Sequence, residues 1–235
     1  MRSNTFASRW CVSVRQDIHR RMALLLSLVF GIVACSDNAP PETTTRAMVV
    51  DEAAVARRES FEGPLEGWKP IDGRWQLRRQ GDNGVMAQTA TDRRFPLTLW
   101  TTQRFSAVDI TVRFKPISGR VDASGGIVFR AQDGANYYVV RANSLEGNFR
   151  LYTVIDADRR QIAGTNIKAP AIGEWHDLRL VAIGAHIQAY LDGQLLLDHH
   201  DATFAAGWVG LWTKADAATE FDDMIVRGVT ETETQ

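Results

Sequence analysis

Arginine, tyrosine, asparagine and tryptophan recur at even spacing along runs of this sequence that read as β-strands, which is how a sheet builds a face able to grip a polar molecule. In Gly125 to Tyr152, GGIVFRAQDGANYYVVRANSLEGNFRLY, three short apolar runs are separated by turn signals. Because side chains alternate sides along a strand, Arg130, then Arg141 with Asn143, then Arg150 with Tyr152, each fall on one side of their own strand. Further on, Trp212 and Lys214 alternate with Leu211 and Thr213, which should point inward together with Val209. Guanidinium groups hold hydroxyls or a carboxylate through paired hydrogen bonds, and aromatic rings offer flat apolar surface. Arg130, Arg141, Asn143, Tyr152, Trp212 and Lys214 are therefore the candidate ligand-binding set. A second reading stays open: the arginines pair with Asp133, Glu146 or Asp156 and hold the three strands together. On the first reading Arg141 faces outward, so Arg141→Ala melts near wild type, whereas Leu211→Ala melts early.

Other chemistry is poorly provided for, and no catalytic residue can be assigned. Retaining glycoside hydrolysis needs two carboxylates about 5–5.5 Å apart. Glu220-Phe221-Asp222 has suitable even spacing, and so does Asp156-Ala157-Asp158, although the latter precedes Arg159-Arg160 and reads as a solvated turn. His199 and His200 are adjacent, so an extended chain sends them to opposite sides and away from a shared metal. His176 and His186 are single histidines with surface or packing roles as the default. Ser124-Gly125-Gly126 lacks the Gly-x-Ser-x-Gly elbow of a serine hydrolase.

The elements that must position these groups are strands. From Phe61 onward short apolar runs alternate with Gly, Asp-Gly or Pro: Trp75 to Arg78, Val85 to Gln88, Leu97 to Arg104, Val108 to Pro116, the three central runs, Gln161 to Thr165, Glu174 to Ile183, Ile187 to Leu191, Gln194 to Asp198, Gly207 to Lys214 and Phe221 to Gly228. Val108, Ile110, Val112 and Phe114 alternate with Asp109, Thr111, Arg113 and Lys115, giving one buried and one wet face. The Asp192-Gly193 and Asp133-Gly134 steps suit hairpins whose turns need positive φ. Short strands at this spacing indicate an all-β sandwich or barrel, and two stacked antiparallel sheets are the economical way to bury this many one-sided strands.

The chain has 235 residues and a formal net charge of -1, which excludes the basic field of a nucleic-acid binder. Five arginines precede the apolar run Met22 to Ala34, which as a helix spans roughly 20 Å, short of the ~30 Å hydrocarbon core. Ile32-Val33-Ala34-Cys35 closes it and resembles the lipobox of bacterial lipoproteins, in which the cysteine is acylated and becomes the new amino terminus. The resemblance makes Cys35 the lipidation site, residues 1–34 a signal peptide and the protein a lipid-anchored component of the bacterial envelope, sorted by default to the outer membrane. The Pro- and Thr-rich segment 35–58 reads as a tether in which Val49 to Arg58 is a weak helix candidate; 59–229 is the folded domain and 230–235 a tail.

GGIVFRAQDGANYYVVRAN, EWHDLRLVAIGAHIQAYLDGQLLLDHHD and GWVGLWTKADAATEFDDMIVRG together resemble the concanavalin A-like lectin/glucanase jelly rolls, with the 3-keto-disaccharide hydrolase domain family and the laminin G-like modules nearest. The resemblance implies a glycan or oligosaccharide partner on a concave sheet, with a glycoside-acting hydrolase or a structural, protein-binding module as the other outcomes. It puts aromatic stacking on sugar C–H faces and guanidinium bonds to sugar hydroxyls on the candidate set above. Family 16 glycoside hydrolases of this fold carry Glu-x-Asp-x-x-Glu on one strand, whereas here Ile225 stands where the third acid belongs. No cofactor is required; a structural calcium is expected from the superfamily where first and last strands meet, with Glu62, Asp222 and Asp223 as candidate ligands or, equally, as edge and turn carboxylates.

Overall fold

A computed structural model describes residues 47–50 and 55–230. Those residues form fourteen β-strands and no helix. In chain order they are β1 (Val55–Glu59), β2 (Trp68–Asp72), β3 (Trp75–Gln80), β4 (Asn83–Gln88), β5 (Leu97–Ser118), β6 (Ser124–Ala131), β7 (Tyr137–Asn143), β8 (Asn148–Ile155), β9 (Asp158–Asn166), β10 (His176–Ile183), β11 (His186–Leu191), β12 (Gln194–His200), β13 (Gly207–Trp212) and β14 (Ala218–Thr230). All pairings are antiparallel, and one hydrogen-bonded path runs β12-β11-β10-β5-β13-β6-β7-β8-β9.

The path folds over because β5 is 22 residues long and serves both layers. Its first part pairs with β13 and β2, and its second with β10 and β14. Sequence reading splits this strand between Arg104 and Val108, where small and polar residues interrupt the apolar pattern, but β5 runs on through them, with a bulge at Ser106 that shifts its register with β14. Between the layers lies the main core, which joins Val108, Ile110, Val112 and Phe114 of β5 and Leu178 and Leu180 of β10 to Ile127, Tyr138, Val140, Phe149 and Leu151 of the meander. The parity expected of β5, of β7 and of Val209 and Leu211 is thus realised. Gly125 permits the close approach of the layers: a Cβ there would lie 2.4 Å from a ring carbon of Phe114.

Three local features depart from expectation. The strand β1 occupies part of the segment expected to be tether or weak helix, pairing Val55–Glu59 with β14, and Val50 is buried in a small cluster with Val181 and Tyr190. Short β-branched content next to an available sheet edge outweighs the polar composition there. The strand β2, hidden from sequence reading by Pro70, pairs only with β5, and an edge strand tolerates the missing N–H. The Asp133-Gly134 step does not form a two-residue turn: the loop closes from Gln132 N to Asn136 O at 2.8 Å, and the positive φ falls on Arg130 at 49°. Asp192-Gly193 does form the expected turn, with φ of 49° and 79°.

Candidate functional site

The outer face of β13, β6, β7, β8 and β9 carries the residues singled out by parity, and strand register sets them in rows. One row runs Trp212, Gly126, Arg141, Arg150, Gly164, and the next runs Ser124, Asn143, Asn148, Asn166. A third brings Val128, Val139 and Tyr152 together, and Tyr137 and Val154 lie beyond it against Arg159. Leu97, Leu99, Val128, Tyr137, Val139, Tyr152, Val154 and Trp212 form a second apolar cluster on this face.

At one end of the face is a polar knot. Asn143 lies at the end of β7, where its Oδ1 accepts from the backbone N–H of Leu145 (2.8 Å) and Glu146 (3.2 Å) and its Nδ2 donates to Asp122 (2.9 Å). That fixes the β7–β8 turn so that Glu146 meets Arg141 Nη2 at 2.9 Å and accepts from Asn148 Nδ2 at 2.9 Å. Arg141 also donates to Asn148 and to the Tyr152 hydroxyl. Lys214 Nζ is 3.1 Å from Asp122 Oδ2 and 3.8 Å from Glu146 Oε1, so one ammonium bridges two carboxylates. Burial works to raise the Glu146 carboxyl, but hydrogen bonds from Asn148 and Arg141 and the nearby positive charges hold it below the ordinary range. Asp122 is fully buried, and its Oδ1, like Ser124 Oγ and Arg141 Nε, has no hydrogen-bond partner among the described residues.

Along the rest of the face guanidinium groups lie on rings. The Arg159 guanidinium sits 4.3 Å from the Tyr152 centroid, 4.7 Å from Phe95 and 5.6 Å from Trp212. Burial first, and the neighbouring Arg141 charge after it, lower the pKa of Arg159. The Tyr137 phenol is pushed up by burial; the Trp212 indole N–H lies near it without completing a hydrogen bond. Arg150 makes no ion pair or hydrogen bond among the described residues and lies across β9, where a Cβ on Gly164 would come within 3.0 Å of its Nη1.

Of the six candidate ligand residues the structure brings together Arg141, Asn143, Tyr152, Trp212 and Lys214, and it separates Arg130. The left-handed backbone at Arg130 turns that side chain from the row, and its buried guanidinium donates to the carbonyls of Phe204 (3.1 Å) and Ser106 (2.9 Å). Burial lowers its pKa. Arg141 is 2% exposed and Trp212 fully buried, so neither is the outward group expected from parity: Phe95 and Arg159, brought in by other segments, roof the face. Sequence reading missed Asp122, Phe95 and Arg159. The last was set aside as part of a solvated turn, and a lone aspartate in Arg120-Val121-Asp122-Ala123 carries no motif.

The calcium candidates are differently engaged. Glu62 pairs with Arg79 (2.6 Å) and accepts from Gly84 N, Asp223 pairs with Arg58 and Arg113, and Asp222 accepts from Asn83 Nδ2 and Asp223 N. Glu220 is held by Lys115 at 2.8 Å and by Gln80. Cys35 lies outside the described residues.

This architecture, an antiparallel jelly roll of the concanavalin A-like kind with a polar, aromatic outer face, defines the class. The chain belongs to the 3-keto-α-glucoside-1,2-lyase-like domain family, whose model matches residues 57–227. It is 25% identical over 154 residues to a levanase of Bacillus subtilis (strain 168), a match covering 64% of this chain and 21% of that enzyme, so the chain spans about a fifth of that relative's length. Among solved structures it is similar to the carbohydrate-binding module CBM66 from Bacillus subtilis, with a TM-score of 0.61, 20% identity and coverage of 69% of this chain and 96% of the other. It is also similar to a Bacillus licheniformis β-glucanase, with a TM-score of 0.53, 13% identity and coverage of 76% and 100%.

Proposed function

We propose that this protein is an envelope-anchored lipoprotein whose jelly-roll domain engages carbohydrate on the outer face of β13-β6-β7-β8-β9. The observation that carries the reading is that the half-buried Phe95 ring and the guanidinium groups of Arg150 and Arg159 lie over the buried aromatic cluster of one sheet face, which suits a molecule with C–H faces and a rim of hydroxyls. The family's name, and the levanase and CBM66 among the similar proteins, support carbohydrate as the ligand class. Arg150 has no hydrogen bond or ion pair to give up among the described residues, and Arg159, Glu146 and Lys214 present the remaining donors and acceptors. The test is calorimetry of the whole protein in detergent against oligosaccharides chosen from a glycan array. Arg150→Ala and Arg159→Ala should each weaken binding about tenfold, as loss of a charged hydrogen bond does. Wild-type affinity in both variants, or no glycan bound at all, removes this reading. The anchoring half is tested separately: Cys35→Ser should abolish acyl labelling and release the protein from membranes, and a mutant that stays with membranes in high salt defeats it.

A second reading rests on the Asp122–Lys214–Glu146 arrangement. A 1,2-elimination from a 3-keto-glucoside removes the C2 proton and forms a C1–C2 double bond as the C1–O bond breaks and the leaving oxygen keeps the pair. It therefore needs a base near C2 and a cation near the carbonyl oxygen that gains charge. The part-exposed Glu146 carboxylate and Lys214 ammonium supply both kinds of group, with buried Asp122 holding the ammonium from behind. Incubation with a 3-keto-α-glucoside separates the readings: an unsaturated product whose formation fails in Glu146→Gln makes the domain an enzyme, and binding without turnover leaves it a carbohydrate-binding domain.

A further inference from the structure

Away from this face, the strand pair β11–β12 aligns three metal-ligating side chains. His186 opens β11 and His200 closes β12, and register places them directly opposite, so both project from the same side of the sheet. Asp198, two residues before His200, shares that side and lies opposite Gln188. The two imidazole rings stack with centroids 4.3 Å apart and planes 10° apart. His186 Nε2 is 2.7 Å from Asp198 Oδ1, and one ligand atom from each of the three side chains lies within 4.8 Å of the others. The third member is what adjacent His199 and His200 could not provide from sequence: the second imidazole comes from across the ladder rather than from the next residue.

The carboxylate is held in place from behind. Asp198 Oδ2 accepts from Gln188 Nε2 at 2.9 Å. Gln188 is itself fully buried, its Oε1 gripped by the Tyr190 hydroxyl at 2.7 Å and by the backbone N–H of Met48 at 2.8 Å. These bonds from behind fix Oδ1 toward the imidazoles, which is how metal-ligating carboxylates are oriented.

We infer that His186, Asp198 and His200 form a surface site for a divalent transition-metal ion such as Zn2+, with open positions left to water or a small ligand. Two nitrogens and one carboxylate oxygen suit zinc, copper, nickel or cobalt, whereas calcium and magnesium prefer all-oxygen sets. Binding replaces the proton now shared by His186 and Asp198 and joins β11 to β12 at the end remote from the Asp192-Gly193 turn. The site stands on residues separate from the proposed carbohydrate face, so its failure leaves that reading untouched.

The experiment uses the whole protein, purified without a polyhistidine tag, titrated with Zn2+ by calorimetry and with Co2+ by visible absorption. One ion should bind per chain with a visible Co2+ band, and His186→Ala and His200→Ala should each weaken binding about tenfold or more. His199→Ala, on the same strand but the opposite side, should bind as wild type. Where a variant folds poorly, the unsubstituted protein answers: Zn2+ should protect His186 and His200, but not His199, from acylation by diethyl pyrocarbonate mapped by mass spectrometry. Absence of binding to wild type, equal binding in all three variants, or uniform protection of every histidine overturns the site.

Discussion

Arg141 has its charge satisfied inside the protein, by Glu146, Asn148 and the Tyr152 hydroxyl, and that alters what its loss should do. Its removal leaves two buried groups, the Asn148 amide and the Tyr152 hydroxyl, without that donor, at a cost of about 2–3 kcal/mol, while the half-exposed Glu146 returns to water. Arg141→Ala should therefore melt early, comparably to Leu211→Ala at ~2–5 kcal/mol, while Arg150→Ala changes stability by less than ~1 kcal/mol. Thermal unfolding of the three variants side by side checks this, and an Arg141→Ala that melts with wild type refutes the structural role. The contrast marks what sequence can reveal. Strand parity put Arg141 with Asn143 on one side of their strand and gave Tyr152 and Trp212 a side of theirs, since alternation is a local property of an extended chain, but only the strand register makes those sides one face. It did not reveal their burial, because Phe95 and Arg159 arrive from segments that no local pattern connects to them. Parity failed outright at Arg130, where one residue of left-handed backbone reverses the count.

At the scale of the element, the loop from β5 to β6 decides where Asp122 sits. Asp216, just after β13, accepts hydrogen bonds from the backbone N–H groups of Arg120 (2.7 Å), Val121 (3.0 Å) and Asp122 (3.0 Å). Gly119 is required there, because a Cβ would lie 1.7 Å from the Asp122 carbonyl oxygen. Desolvation works against it, but those three N–H groups hold the Asp216 carboxyl below its ordinary range. A carboxyl depressed by folding stabilises fully above its unfolded pKa of about 3.9, and the contribution disappears as pH falls through the lower folded value. Asp216→Asn should thus destabilise at pH 7, by about 1–2 kcal/mol, and the gap to wild type should close as both are acidified below pH ~3. A gap independent of pH would assign the effect to packing. Turns were the least legible elements: Asp192-Gly193 announced itself, yet the β8–β9 turn uses Asp156 and Ala157 at φ of 51° and 66° with no glycine to signal it.

In the whole molecule, β5 ties the two layers into one hydrogen-bonded path, so neither sheet is complete without it. Unfolding should be a single cooperative event, with coincident transitions by tryptophan fluorescence and far-ultraviolet circular dichroism; two resolved transitions would show that the layers melt independently. The stacked β-sheets were legible because thirteen apolar runs with turn signals admit few other architectures, and the jelly-roll topology came only with the family resemblance, whereas the continuity of β5 was not legible, since Ser106-Ala107 looks locally like a break. That continuity also bears on the route by which the chain folds. Trp100 of β5 pairs with Trp68, only a few dozen residues upstream, but Phe114 must wait for Phe221, more than a hundred residues on. Loop-closure entropy is lost before such distant contacts form, which places folding on the millisecond-to-second scale and makes β5 the natural nucleus. Ile110→Val should then slow folding in proportion to the stability it removes, while Leu151→Ala on β8 should chiefly hasten unfolding; stopped-flow rates showing the reverse would move the nucleus to the meander.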